Sequence, residues 1–590
     1  MSGRGLRVPV GPDAARWTTR GVARTVLFVV HNVTSATRLL DVLPLFDDAL
    51  EVQCLATCTG SSPFLAGVPE LLEKTGLPVL PWEQARRTPV DLVISASYGG
   101  ELQDFQGKLI ILSHGAGYNK RLATPDTGHR TPDTGHRTPD TGRSAGRRPE
   151  AAPVFGMAPE WLLYEGKPLA TATVLSHPEQ LHRLTAACPE AAETSVLAGD
   201  PCFDRLLALR DRRPALRRAL GVDDGRLLVV LNSTWGRGSL LGSDRFPELL
   251  RELTGTLPVD EYRLCAVLHP NIWYGHGPGQ VHRWLRRATD AGLTLVDPLG
   301  PWRQTLAAAD CVIGDHGSVT FYAAALGLPV LLGAFPHEEL DPASPVAALG
   351  RTAPHLRPGE PLRARLESVR YGHTPGRHDG LAAQATSAPG ASARLLRTLF
   401  HDLLRLPEPD EPARLEPLGT PDGLTSTVTV PLRVLTSVRE PSSYPPEIAV
   451  TRYASPDSEP ELPAADDAHT VVDDATHETD RFALADLVVE RFPAHPAPRA
   501  AELLRERPYA TLAVVVTGGD SCLVRTREGT VLALTARPGR DGFPDPCDPA
   551  VYASALHAWR ESGRSLDALA GGMTVVTGRA RHHVDVTTDR

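Results

Sequence analysis

Several clusters of polar residues in this chain follow directly on apolar runs of strand length, and their residue types suit acid–base and phosphate chemistry. Residues 108–112 lead into Ser113-His114-Gly115-Ala116-Gly117-Tyr118-Asn119-Lys120. A histidine at the end of a buried strand is placed to act as a general base, the two glycines give access, and Lys120 can neutralise a phosphate. Residues 226–231 lead into Asn232-Ser233-Thr234-Trp235-Gly236-Arg237, and residues 263–268 into His269-Pro270. Residues 311–313 lead into Gly314-Asp315-His316-Gly317-Ser318, after which small and apolar residues recur at helical spacing until Gly327 and Pro329. The free N–H groups and dipole of such a helix start favour a phosphate. Gly317 allows close approach, the Ser318 hydroxyl can donate, and Asp315 and His316 are expected at the same rim. Plainer readings stand beside these: a histidine at 114 held by a neighbouring carbonyl, and Ser318 as no more than a helix cap.

Positioning such clusters requires strands that end at one edge. Strand-like runs at 25–30, 51–56, 77–80, 91–95, 108–112 and 172–177 alternate with helical stretches, and a second series follows at 226–231, 263–268, 293–296, 311–313 and 330–332. This alternation predicts an α/β chain with parallel sheets in two similar units, and a cleft between them is the default binding site. The loop after 25–30 has no GxGxxG, so the dinucleotide fingerprint is absent. The expected organisation is a tail at 1–22, a Rossmann-like unit at 23–207, a second at 208–405, an acidic Pro-rich linker with some strands at 406–480, and a small α+β domain at 481–590. In that last domain 511–517, 521–525 and 530–535 read as a β-meander turning at Gly518-Gly519-Asp520. Residues 552–559 read as an amphipathic helix, and His582-His583 as a solvent-exposed tail.

A chain of 590 residues is long enough for three to four domains. Its net charge of −9 argues against nucleic acid as a partner. The eight cysteines are scattered without a CxxC pair, so neither a metal site nor a cofactor is expected. No signal-like segment or bilayer-length apolar window occurs, which leads to the expectation of a cytoplasmic protein. Between 124 and 143 the heptad TPDTGHR repeats in tandem. Its regular prolines and glycines forbid a packed core, so 124–148 is expected to be an exposed, disordered loop without a catalytic role.

Taken in order, His114-Gly115 and Lys120, Gly199, Pro201, Asp204 and Leu206, Thr234-Trp235, His269-Pro270, and Asp310, Asp315 and Ser318 resemble the motifs of the CDP-glycerol glycerophosphotransferases of teichoic-acid synthesis, which have the GT-B fold. The resemblance spans residues 25 to about 401 and extends to the wider GT-B group that includes UDP-N-acetylglucosamine 2-epimerase. It implies two Rossmann-like domains in GT-B arrangement. A nucleotide-activated donor would bind the second domain, its pyrophosphate at Gly317-Ser318 with His269 nearby and with Lys120, Thr234, Asp315 and His316 in the same site. His114 would deprotonate a polyol or glycan acceptor, and CMP would leave; such catalysis is mostly positioning and charge neutralisation. Where the family reads D-Y-S-S, this chain reads Asp315-His316-Gly317-Ser318. Two other readings stand: a glycosyltransferase using a UDP- or GDP-sugar, with Glu338 or Glu339 gripping the ribose, and a non-catalytic nucleotide- or polymer-binding scaffold. The resemblance also allows peripheral contact with a membrane, although no basic amphipathic stretch for it is evident.

Overall fold

The computed structural model describes residues 5–11, 14–113, 115–121, 152–222, 225–374, 376–424, 428–439, 445–454, 465–476, 479–539 and 547–588. His114 and the heptad repeat lie outside them.

The run Arg24–Val30 is buried from Val26 onward and forms the first-laid strand of a seven-stranded sheet. Across this sheet the order is Val79–Leu80, Val52–Cys58, Arg24–Val30, Leu92–Ser95, Lys108–Ile111, Ala172–Leu175 and Ser195–Leu197, with every pairing parallel. A second, five-stranded parallel sheet runs Thr294–Val296, Tyr262–Leu268, Leu227–Ser233, Cys311–Gly314 and Val330–Leu332. The α/β expectation therefore holds for this part of the chain. Both sheets are buried on two faces, which is why their strands read as continuous apolar runs. In each, the order reverses beside the first-laid strand, and the crevice outside the carboxyl ends at such a point is where doubly wound sheets bind ligands.

The units are tied together by buried aspartates. Asp200 caps the helix Pro201–Leu207 and accepts the Tyr322 hydroxyl at 2.6 Å. Asp204 accepts the backbone N–H groups of Gly390 at 2.7 Å and Ser392 at 3.0 Å. It thereby anchors the helix Ser392–Leu404, whose Leu396, Phe400 and Leu404 pack back into the core of the first sheet. Asp41, on the helix Val33–Val42 of the first unit, is 2% exposed and accepts Arg303 of the second at 2.7 Å, with Arg205 also upon it.

Beyond residue 430 the structure departs from expectation. In place of a small α+β domain there is a closed nine-stranded barrel, and three of its strands, Leu432–Arg439, Glu447–Ala454 and Asp467–Asp473, fall within 406–480, where a linker with some strands was expected. The acidic, Pro-rich stretches around these strands mask their half-buried alternation. The meander forms as Leu512–Val516, Ser521–Thr526 and Val531–Ala536, paired antiparallel. The helix Ala550–Glu561 is not amphipathic: every residue from Ala550 to Trp559 is buried. It is enclosed by the barrel, where Tyr552 and Leu556 pack with Val434, Ile448, Leu512 and Leu534. His582 is likewise no tail residue; it is buried in the strand Ala580–Thr588 and lies 2.9 Å from the Thr577 hydroxyl. Arg452 docks the barrel on the second unit, pairing with Asp260 at 2.6 Å and Asp548 at 2.8 Å. No helix among the described residues is long and apolar enough to cross a membrane.

Candidate functional site

The carboxyl ends of the two parallel sheets face one cleft of 1890 Å³. That exceeds the roughly 300–1,000 Å³ of a single small-molecule pocket, which leaves room for two ligands. Lys120, Thr234, His269, His316, Gly317 and Ser318 all line it. The first unit contributes loops that follow its strands, through Ala96, Tyr98, Ser113 and Gly115, and the second contributes 232–239, 268–272 and 316–319. Ser113 and Gly115, the chain neighbours of His114, are therefore on the wall.

Asp315 does not stand at the rim. It is fully buried, and its carboxylate accepts four bonds, from the backbone N–H groups of Thr234 at 2.9 Å, Leu240 at 2.8 Å and Gly317 at 2.9 Å, and from the Ser233 hydroxyl at 3.3 Å. An aspartate just past a strand end, next to two backbone segments with spare donors, turns inward because a carboxylate has the acceptor capacity to satisfy both. Burial pushes its pKa up and these N–H groups pull it down. Asp315 thus shapes the site by clamping the 233–240 loop to the 315–318 turn.

Ser318 stands on the cleft wall but does not cap its helix. Gly317 is the N-cap of the helix Ser318–Ala325 and gives no side-chain capping bond. The Ser318 hydroxyl instead reaches across the cleft and accepts the Ala116 N–H at 3.0 Å. This bond brings the 113–120 cluster onto the helix start of the other unit. The fit is close: a Cβ on Gly115 would stand 2.6 Å from Ser318 Oγ. Gly115→Ala is expected to displace that hydroxyl and cost about 1 kcal/mol, the typical worth of one such hydrogen bond, read as a lowered melting temperature that Ser318→Ala does not lower further. A Cβ at Gly317 would stand 3.0 Å from Thr234 Cβ and 3.1 Å from Asp315 Oδ1, so the clamp leaves little room for the serine found in the related motif.

His316 is 4% exposed, and burial followed by the nearby Lys120 charge pushes its pKa down to about 3. The ring is neutral at physiological pH, and its Nδ1 has no hydrogen-bond partner among the described residues. Because the folded-state pKa lies below the unfolded value near 6.5, the unfolded chain binds the extra proton between the two. Stability contributed by neutral His316 is therefore complete above pH 6.5 and is lost as pH falls toward about 3. Unfolding midpoints measured across this window are expected to fall less steeply in His316→Gln.

His269 caps the helix Pro270–His276, its Nδ1 accepting the Asn271 N–H at 3.1 Å, so the neutral ring carries its proton on Nε2. Lys120 Nζ lies 4.7 Å from the centre of the Trp235 ring, a cation–π distance that fixes the ammonium within the cleft. Glu338 and Glu339 also line the cleft. Sequence reasoning missed Arg38 and Arg121, both on its wall. Arg38 is deeply set, and its Nε and Nη1 have no hydrogen-bond partner among the described residues. Burial opposes its charge, but Cys202, Tyr322, Asp200 and Asp41 outweigh it and keep the guanidinium protonated. A signal existed: Thr34, Thr37 and Arg38 form a polar stripe at helical spacing opposite the buried Val33, Ala36, Leu39 and Val42.

No family model and no curated protein matches the chain. Among solved structures it is similar to the wall teichoic acid polymerase TagF, at 13% identity over 67% of this chain and 94% of that one, with a TM-score of 0.42. It is also similar to a glycosyltransferase from Rickettsia africae, at 11% identity over 65% and 99% with a TM-score of 0.36. HepE of Anabaena, solved with UDP and glucose, follows at 12% identity over 65% and 100% with a TM-score of 0.34. These likenesses carry no argument about chemistry, and the fold rests on the strand orders above.

Proposed function

We propose that the chain is a GT-B-type transferase using a nucleotide-diphosphate donor, most like a CDP-glycerol glycerophosphotransferase. The observation that carries this reading is the Ser318–Ala116 bond, which brings the histidine-bearing loop of one doubly wound unit onto the helix start of the other. The donor pyrophosphate lies at Gly317-Ser318, with His269 Nε2–H and the Lys120 ammonium as donors and Arg38, Arg121 and Arg237 supplying further positive charge on the wall. Neutral His316 offers a hydrogen bond without adding charge. An acceptor hydroxyl attacks the donor phosphorus that bears the glycerol; the new P–O bond forms as the P–O bond to CMP breaks. The proton passes to His114, and the departing CMP phosphate keeps the electron pair. Fixed cations at the point of developing negative charge are the main catalytic device available to such a site.

The test is CMP release from CDP-glycerol by the full chain with a glycerol-phosphate-terminated acceptor. Acceptor-dependent release, lost in Lys120→Ala, is the expected result; no release with any acceptor length would count against the reading. The presence of both Glu338 and Glu339 on the wall favours one alternative, a glycosyltransferase whose donor ribose is held by a carboxylate. It predicts turnover of a UDP- or GDP-sugar, and none of CDP-glycerol.

A further inference from the structure

Away from the cleft, three side chains converge inside the barrel where the strand Asp467–Asp473 faces the enclosed helix Ala550–Glu561. Asp467 and His469 are two residues apart and share one face of the strand, the face on which Val471 joins the barrel core. His557 comes from the helix. One ligand atom from each lies within 4.8 Å of the others. His469 Nδ1 is 3.4 Å from Asp467 Oδ2, and His557 Nε2 is 3.9 Å from the same oxygen. Ligand atoms at about 2.0–2.2 Å from a tetrahedral zinc stand roughly 3.3 Å apart; the two Asp467 separations are close to that, and the two histidines, within 4.8 Å of each other, would draw together around one ion.

The surroundings also suit a ligand set. His469 and His557 are 2% and 4% exposed, whereas the Asp467 side chain, at 32%, leaves a path from solvent. His469 Nε2 is 3.0 Å from the Ser554 hydroxyl. With the proton on Nε2, the Nδ1 lone pair points at Asp467, the tautomer that an outer hydrogen bond selects in a metal-bound histidine. His557 faces Asp467 through Nε2, at 3.9 Å and so beyond a hydrogen bond, while its other nitrogen, Nδ1, is buried without a hydrogen-bond partner among the described residues.

We propose that Asp467, His469 and His557 bind a first-row divalent cation, zinc foremost, which fastens the enclosed helix to the barrel wall. Two imidazoles and one carboxylate form an N/O set of the kind zinc accepts, with a fourth position left for water. The site is distinct from the cleft and independent of the transferase reading.

The test uses the full chain, stripped with chelator and titrated with Co²⁺, whose visible band is intense in tetrahedral sites, and with Zn²⁺ followed by thermal unfolding. One equivalent should bind, with Zn²⁺ raising the melting temperature. His129→Ala/His136→Ala, which removes the repeat histidines, should behave as the parent. Asp467→Asn, a partly exposed isosteric change, and His557→Gln should each abolish the band and the thermal shift. Ser554→Ala should weaken binding by roughly tenfold, the usual effect of losing an outer-shell partner. The proposal is overturned if the parent shows no tetrahedral band, or if band and shift survive unchanged in Asp467→Asn.

Discussion

Asp315→Ala is expected to collapse the second half of the cleft, although the Asp315 side chain is itself buried behind the wall. The substitution leaves three buried N–H groups, of Thr234, Leu240 and Gly317, without an acceptor. Each unsatisfied buried donor costs about 1–3 kcal/mol, so three of them cost about 3–9 kcal/mol of local stability, among the larger effects of a single substitution. Asp315→Asn keeps one acceptor oxygen and is expected to fall between. Because the chain has several folding units, a single unfolding free energy is not defined. The measurement is therefore hydrogen exchange at 233–240 and 315–318, which should speed up in Asp315→Ala while the barrel strands keep their protection. Unchanged exchange in these two segments would mean that the clamp does not hold them.

His114→Ala is expected to lower turnover by about 10²–10⁴-fold, the usual contribution of a positioned general base, and to leave donor affinity within a factor of a few. Ser318→Ala should act in the opposite proportion, since Ser318 holds the Gly115–Ala116 segment at the helix start. Steady-state and single-turnover rates of both variants separate the two roles. Equal losses of binding in both would assign His114 to positioning and not to proton transfer.

These two residues also mark how far the sequence could be read. Strand-length apolar runs ending in polar clusters were enough to place Thr234, His269 and Gly317 at a sheet edge, because in a doubly wound sheet the end of a strand is the edge of a crevice. The same rule misplaced Asp315 and said nothing of the bond that Ser318 makes to the other unit. Which way a side chain turns at a strand end depends on the spare donors nearby: Leu240 for Asp315, Ala116 for Ser318. Those partners are remote in sequence and carry no local mark. Asp204 and Asp310 were legible as motif members, yet one anchors the returning helix and the other accepts Arg213 and Arg217. A motif reports that a position is constrained, without reporting whether chemistry or architecture constrains it.

The barrel was harder still. Its strands are separated by acidic, Pro-rich stretches, and the enclosed helix buries every face, so neither strand alternation nor helical amphipathicity survives as a clean signal. The His469–His557 pair joins elements far apart in the chain, which no short ligand spacing could reveal.

The central claim, that the cleft takes a nucleotide-diphosphate donor at Gly317-Ser318 and Lys120, is tested most directly by thermal shift of the full chain against CDP-glycerol, CMP, UDP-N-acetylglucosamine, UDP and GDP. A ligand at a hundred times its dissociation constant stabilises by about 2.7 kcal/mol. The account predicts a rise with CDP-glycerol and CMP that is lost in Lys120→Ala. No rise with any of the five, or a rise that Lys120→Ala leaves intact, would contradict it.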